Sequence, residues 1–520
     1  MTITEMLARN GQMYPNDVAL VQVTPSQNIR RQITWAEFDK KANRVANFLI
    51  SIGVQKGDKV LLLMRNCIEW LVAYFGIIRT GAWVVPLNFR FTSLDIEFCA
   101  NIAEPKVFIL GEEFAERVEA IRPELSSIKD YFLVGQTVPQ NMERLEEEID
   151  EYSSSEPGVE LKEEDTCGLY FTSGTTGTPK AVVFTHKNLQ SAAISSAFRR
   201  NDQQTDVSTL IGPLYHTGTI MHWFGNLIVG GRGVLLVDKK IIPEYILEIV
   251  HQERVTELML YVPWAQDLVS ALEKGEVRKE RYDLTCLRLM HLGAQTIPLS
   301  LVERLKSHFP NAQYIETYGL TESTGPGCIC LVGIEKREGL IGRPGLNWEA
   351  RIVNDQGDDI PPGEVGEIIV RGDGVRKEYY NNPEETAKTL KSGWLYTGDL
   401  GKVDEEGLFY IVARKKDVII SGGENIYPSD IESVLLRHPK VYDAALVGIP
   451  DDRLGELAVA VIEPKPGATL TEDEMNDFCE ASFPRYRRPR KVIIGEVPRN
   501  STGKIQKRAL RQKYSEISHD

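Results

Sequence analysis

The decapeptide FTSGTTGTPK (171–180) sets the hydroxyls of Thr172, Ser173, Thr175, Thr176 and Thr178 around Gly174 and Gly177 and closes on Lys180. Clusters of Gly, Ser, Thr and Pro are usually plain surface loops. Here apolar, β-rich runs flank the cluster, CGLYF (167–171) before it and AVVF (181–184) after it, so it reads as a tight connection between two buried strands. Held at both ends, its backbone N–H groups and hydroxyls can converge on an anion, with glycines allowing close approach and Lys180 adding charge. That is the chemistry of a phosphate cradle. It is not the Walker arrangement, because Pro179 precedes the lysine and a strand rather than a helix follows.

Four further stretches carry polar groups suited to the same ligand. HLGAQ (291–295) and YGLTES (318–323) follow predicted strands, and the carboxyl ends of parallel strands are where α/β proteins bind ligands. YTGDLG (396–401) offers the Asp399 carboxylate, which can hold a ribose diol by two hydrogen bonds. PRNSTGKIQK (498–507) places Lys504 on a Gly-bearing loop near the C-terminus. Singly, each has a bland reading: a turn with an N-cap, a turn aspartate, a solvated surface charge.

These residues need a scaffold, and the chain reads as α/β. TWAEFDKKANRVANFLISIG (34–53) has helical spacing and a capping box at Thr34 and Glu37, and KVLLLM (59–64) reads as a strand. Further strands are predicted at WVVPL, KVFIL, YFLVG, VSTLI, GVLLV, ELMLYV, LRLMHL and AQYIETY, interleaved with helices such as PEYILEIVHQ and LSLVERLKSHF. The expectation is a large, layered N-terminal domain of mostly parallel sheets. After residue 345, short strands with turn signals predict a β-subdomain, and beyond it lies a compact α+β tail in which Ser429 and Glu432 form an expected capping pair. The expected division is 1–415 and 416–520.

The 520 residues include 60 basic and 74 acidic side chains, a net charge of −14, which argues against nucleic acid or an anionic membrane as the main partner. No run of 18 apolar residues occurs and the first residues lack a signal pattern, so a cytoplasmic protein without a transmembrane segment is expected. Seven scattered cysteines support neither a disulfide framework nor a zinc site.

In their joint order, from residue 172 to residue 504, TSGTTGTPK, YGLTE, YTGD, ARKKD with SGGENIYP, and PRNSTGK resemble the adenylate-forming family that includes acyl-CoA synthetases, 4-coumarate–CoA ligases, luciferases and peptide-synthetase adenylation domains. The resemblance spans nearly the whole chain. It implies that ATP, Mg²⁺ and coenzyme A are used, that a carboxylic acid attacks the α-phosphorus, and that the acyl group passes to a thiol. Thr172, Ser173, Gly174, Thr175, Thr176, Gly177, Thr178 and Lys180 would then wrap the β- and γ-phosphates. Gly293, Ala294 and Gln295 would form the adenine slot with Tyr318, which would stack on the base, and Thr317 and Gly319 would also bind ATP. Thr321 would meet the α-phosphate, Glu322 would hold Mg²⁺, and Asp399 and Arg414 the ribose. Lys504 would serve adenylation, Lys416 would be the hinge of a mobile C-terminal domain, and Gly422 and Gly423 would let the CoA arm pass.

Ala181 and Ala413 depart from the family pattern where glycine is usual, and FPRYRRPRK (483–491) is more basic than its counterparts. The acid is expected to lie between IGPLYHTGTIMHWFGNLIVGG (211–231), with His216 orienting its carboxylate, and the small residues around Gly327. No basic residue there answers a second carboxylate, which favours an apolar monocarboxylic acid, fatty or aryl, and a place in fatty acid and lipid metabolism. A loader of a separate carrier-protein thiol and a catalytically silent nucleotide-binding homologue are the alternatives, and a homodimer is compatible with the resemblance.

Overall fold

The computed structural model describes residues 1–172, 179–293, 297–325, 328–451, 453–499 and 504–515. The expectations placed on Ser173, Gly174, Thr175, Thr176, Gly177, Thr178, Ala294, Gln295 and Gly327 lie outside the described residues.

The protein is α/β, with a large N-terminal sheet region and a small C-terminal α+β domain. Among the described residues an eight-stranded sheet pairs strands Lys59–Leu63, Trp83–Pro86, Val107–Gly111 and Asp130–Val134 in parallel and ends in the antiparallel pair Thr166–Thr172 and Lys180–Thr185. This pair carries the Gly/Thr loop between its strands. Helix Ile68–Arg79 is buried along its whole length, as an all-round apolar helix must be, because it lies in the layer joining this sheet to the next. Thr34 and Glu37 form the expected capping box of helix Trp35–Ser51, with amide-to-side-chain distances of 2.8 and 3.2 Å.

The second sheet has fourteen strands among the described residues. Strands Val18–Thr24, Arg232–Leu236, Val207–Leu210, Glu257–Tyr261, Leu289–Gly293 and Gln313–Tyr318 run parallel. The β-rich stretch after residue 345 does not form a sheet of its own. Strands Ile329–Leu331 and Leu340–Pro344 add antiparallel to Gln313–Tyr318, and strands Phe409–Arg414, Trp394–Val403, Gly366–Gly372 and Trp348–Val353 continue the same sheet. Short antiparallel strands can extend a parallel edge because each needs only a tight turn, not a crossover helix.

A five-stranded sheet with helices Pro428–Leu435, Glu472–Ser482 and Lys507–Tyr514 makes the C-terminal part, whose apolar clusters draw only on residues 419–514. One expectation fails here: Ser429 and Glu432 do not cap. Pro428 occupies the first helical turn behind Tyr427, which freezes the start without a side-chain cap. The Ser429 hydroxyl donates instead to the Val412 carbonyl, and Glu432 accepts from the Leu446 amide at 2.7 Å and pairs with Lys507.

The junction strand Leu340–Pro344 is what joins the parallel sheet to the antiparallel extension. Gly342 there has φ +105°, and an added Cβ would lie 1.9 Å from the Cys330 carbonyl oxygen. Gly342→Ala should therefore lower stability by about 1–3 kcal/mol or more. An unchanged denaturation midpoint would remove the junction from the list of tight points.

Candidate active site

The parallel strands end together. After Val207–Leu210 the chain reaches His216, the N-cap of helix Thr217–Val229; Glu257–Tyr261 ends at Tyr261, Leu289–Gly293 at Gly293 and Gln313–Tyr318 at Tyr318. Residues 317 to 322 are half-buried without a break, in contrast to the buried Ile315 and Glu316 before them and Ser323 after them, so this run borders a cleft. Gly293 is itself buried, yet among the described residues a Cβ there would meet nothing within 4 Å. A flat group has room beside that backbone.

The antiparallel extension brings Asp399 and Arg414 directly opposite one another across strands Trp394–Val403 and Phe409–Arg414. Their carboxylate and guanidinium meet at 2.7 Å, and the Tyr318 hydroxyl donates to the other Asp399 oxygen at 2.6 Å. Asp399 is 3 % exposed. The Asp399 charge holds Arg414 firmly protonated, and burial, then the same carboxylate, pushes the Tyr318 phenol well up. The Thr317 hydroxyl faces inward to the His291 imidazole at 2.8 Å, and His291 contacts His222 at 2.9 Å. Burial and the Arg200 guanidinium push His291 down to about 3, so these rings are neutral. Arg200 is already answered by Asp202, and Glu257 lies within 3.9 Å.

Glu322 lies on the short turn Thr321–Ser323, and its carboxylate accepts from the Tyr379 hydroxyl at 2.8 Å. Among the described residues no group of three metal-ligating side chains occurs. A single carboxylate of this kind suits a hard cation that takes its other ligands from phosphate and water, as Mg²⁺ does. Sequence reasoning missed Tyr379 and its neighbours Arg376 and Glu385. Tyr379 sits on a two-residue strand paired with Val182, far from every motif and without a local signal. Thr172 and Lys180 stand at the two feet of the Gly/Thr loop as register partners.

Lys504 comes from the C-terminal part and stands within electrostatic reach of Arg414, Asp399, Glu322, Lys416 and His216. Crowding by protein atoms, then the Arg414 charge, push its amine down to about 8. Its side chain nevertheless keeps access to solvent. His216 is held down at about 4 by burial and by Lys504, so its imidazole is neutral near pH 7, and among the described residues its Nδ1 has no partner. Lys415 pairs with Asp355 at 2.8 Å and Glu367 at 3.2 Å, whereas Asp417 pairs with Arg511 at 2.8 Å, which leaves the exposed Lys416 between two anchors. Gly422 and Gly423, at φ +60° and +85°, form an exposed two-residue hairpin turn of the kind that requires positive φ at both places. Among the described residues no hydrogen bond ties that turn to the Lys504 cluster; the Gly422 amide donates to the Leu454 carbonyl.

The strand ends of the parallel sheet, the buried carboxylate–arginine pair and a lysine from the C-terminal domain thus come together at one place in an α/β fold. The chain belongs to the AMP-binding enzyme family: the family model matches residues 7–380, and the model of the family's C-terminal domain matches residues 430–504. It is an AMP-forming acid–thiol ligase, of a family that uses ATP, Mg²⁺ and CoA. It is 33 % identical to the long-chain-fatty-acid–CoA ligase FadD13 of Mycobacterium tuberculosis over 519 residues, 98 % of each chain. The structure resembles the anthranilate CoA ligase AuaEII in complex with anthranoyl-AMP, with TM-score 0.89, 26 % identity and coverage of 99 % and 97 %. It also resembles MatB from Rhodopseudomonas palustris at 99 % and 100 % coverage, scoring 0.88 against the ATP-bound form at 28 % identity. Against apo MatB the score is 0.76 at 27 % identity and the same coverage. No helix among the described residues is long and apolar enough to cross a membrane.

The lowered amine makes a prediction of its own. With surface lysines near pKa 10.4, an amine near 8 is about half deprotonated at pH 8 while the others are under about 1 %. Acetylation followed by peptide mass spectrometry should find Lys504 modified first at pH 8, and Arg414→Gln should delay it by removing the nearest named cation. Equal reactivity with surface lysines would show that the cleft leaves the amine unshifted.

Proposed function

We propose that the protein is an acyl-CoA synthetase that activates an apolar monocarboxylic acid, fatty or aryl, as an acyl-adenylate and transfers it to CoA. The observation that carries this reading is the convergence of Lys504 with Arg414, Asp399, Glu322 and His216 at the carboxyl ends of the parallel strands. Relatives acting on a long-chain fatty acid and on anthranilate support the acid class at both its ends. The region around His222 supports an apolar pocket in one further respect, since its nearest cation, Arg200, already has its counter-ion in Asp202.

On this reading the adenine lies in the space beside Gly293, against Tyr318 and near Thr317 and Gly319. Asp399 and Arg414 take the ribose, Thr321 the α-phosphate, and Thr172 and Lys180 the outer phosphates. Glu322 supplies the protein ligand of Mg²⁺, which neutralises phosphate charge when bound. A carboxylate oxygen of the acid attacks the α-phosphorus, the bond from that phosphorus to the bridging oxygen breaks, and pyrophosphate leaves with the electron pair. Neutral His216 borders the acid, and the Lys504 ammonium sits where negative charge develops. CoA sulfur then attacks the acyl carbon and AMP departs, near Gly422 and Gly423.

Two anchored flanks around Lys416 support a division of the chain at 415/416 with the hinge at that residue. The higher similarity to ATP-bound than to apo MatB supports the view that the present arrangement is the one for adenylation. A cytoplasmic setting and a homodimer are expectations attached to the same reading.

The direct test is a panel of acids with ATP, with and without CoA, following AMP and pyrophosphate. Pyrophosphate release with an acid but AMP release only with a carrier protein and not with CoA would favour the carrier loader, and no release with any acid the silent homologue. Lys504→Ala should slow adenylation by roughly 10²–10³ and leave thioester formation from supplied acyl-adenylate largely intact. A parallel fall of both half-reactions would reject the role given to Lys504.

Lys416→Pro fixes one backbone torsion where the chain must turn. Thioester formation should slow several-fold more than adenylation, measured as separate half-reactions. Equal rates in both would place the rotation centre elsewhere.

A further inference from the structure

Lys180 opens strand Lys180–Thr185 at the foot of the Gly/Thr loop, and its ammonium is already taken. It pairs with Glu385 of helix Pro383–Thr389 and lies 5.2 Å from the centre of the Tyr379 ring. The two side chains are only 15 % and 25 % exposed, so solvent and salt screen the pair less than a surface one. Glu385 is placed by more than this contact. Its amide donates to the Asn382 side chain that caps the helix, at 3.0 Å, and its carbonyl accepts from the Thr389 hydroxyl at 2.9 Å. Thr389 in turn accepts from the buried Arg376, which stacks on Tyr379 at 3.8 Å, and Tyr379 reaches Glu322. A carboxylate is thus held by a capped helix against the one lysine that the loop offers to phosphate.

We propose that Glu385 is an internal counter-ion that the polyphosphate of ATP displaces from Lys180 and that reclaims Lys180 as pyrophosphate leaves. The inference rests on the reading of Lys180 as a phosphate ligand. A carboxylate and a phosphate cannot share one ammonium without repelling each other, and in a partly buried site that repulsion is felt at contact distance. Glu385 therefore weakens the hold on ATP and on pyrophosphate alike. The gain is in turnover. Adenylation is reversible, so a cradle that held pyrophosphate tightly would favour the back reaction, whereas a fixed competing anion limits that hold. Glu385 acts through Lys180 and is a positioning residue.

The test measures binding of Mg²⁺–pyrophosphate and of AMP by calorimetry on the full chain, with thermal unfolding as a control for folding. Glu385→Gln should bind pyrophosphate about tenfold more tightly, within the range usual for coupled sites, with AMP affinity unchanged. The KM for ATP should fall in parallel, while pyrophosphate becomes a stronger product inhibitor and kcat does not rise. Glu385→Asp keeps the charge and should stay closer to the wild type than Gln does. Three outcomes overturn the proposal. If Lys180→Ala weakens pyrophosphate binding but Glu385→Gln does not tighten it, Glu385 is not a competing counter-ion. If Asp and Gln behave alike, or AMP affinity moves with pyrophosphate affinity, the effect is one of folding. If Lys180→Ala leaves both ATP and pyrophosphate binding unchanged, the phosphate reading of Lys180 fails, and the proposal falls with it for a distinguishable reason.

Discussion

The cross-strand pair of Asp399 and Arg414 is the interaction around which the site is arranged. Both residues are fixed by register, because strands Trp394–Val403 and Phe409–Arg414 set them opposite one another. The pair is tied to the parallel sheet by the Tyr318 hydroxyl, so the end of one strand system is fastened to the other through a single carboxylate. Arg414 is also the last residue of its strand, immediately before the turn Lys415–Asp417 where the chain leaves for the C-terminal part. Its charge faces Lys504. Loss of the Asp399 carboxylate would leave a half-buried guanidinium unpaired beside that lysine, a penalty of several kcal/mol by the usual measure of broken buried pairs.

A second consequence concerns charge. The chain as a whole carries −14, yet Arg414 and Lys504 lie within electrostatic reach of one another, and Lys180 stands at the foot of the Gly/Thr loop. Local cations in a field of the opposite sign must be held by structure, and each is held differently: Arg414 by Asp399, Lys180 by Glu385, Lys504 by the arrangement of the second domain. The last is the most conditional. A cation crowded by two others has its amine lowered, and a polyanion beside it would relieve that penalty.

The strands and helices were readable because their signals are local. The alternation and apolar runs of 59–64, 167–171 and 289–293, and the capping box at Thr34 and Glu37, depend on neighbours a few residues away. The family was legible for a different reason: polar groups cluster at predicted strand ends in short motifs, and the joint order of those motifs is specific. What escaped notice was non-local. Glu385 meets Lys180 across 205 positions, Tyr379 meets Glu322 across 57, and Thr317 turns inward because His291 lies on the adjacent strand. The Ser429–Glu432 spacing satisfied the local rule and failed because better partners, the Val412 carbonyl, the Leu446 amide and Lys507, came from other elements. The β-subdomain was legible as strands but not as an edge of the larger sheet, since the pairing of Gly342 with Phe409 has no mark in either segment.

The same distinction explains why helix Pro383–Thr389 matters more than its length suggests. It is too short to be stable alone, and it is held by the Asn382 cap, by Thr389 under Arg376 and by Glu385 on Lys180. Its preceding strand, Glu378–Tyr379, adds to the eight-stranded sheet, and its following strand, Leu390–Lys391, adds to the fourteen-stranded one. This segment therefore bridges the two sheets on the side where the Gly/Thr loop stands. The Lys180–Glu385 pair is one of the three contacts holding the bridge, so it links the foot of the loop to the segment that carries Tyr379 and, through the Tyr379 hydroxyl, to Glu322.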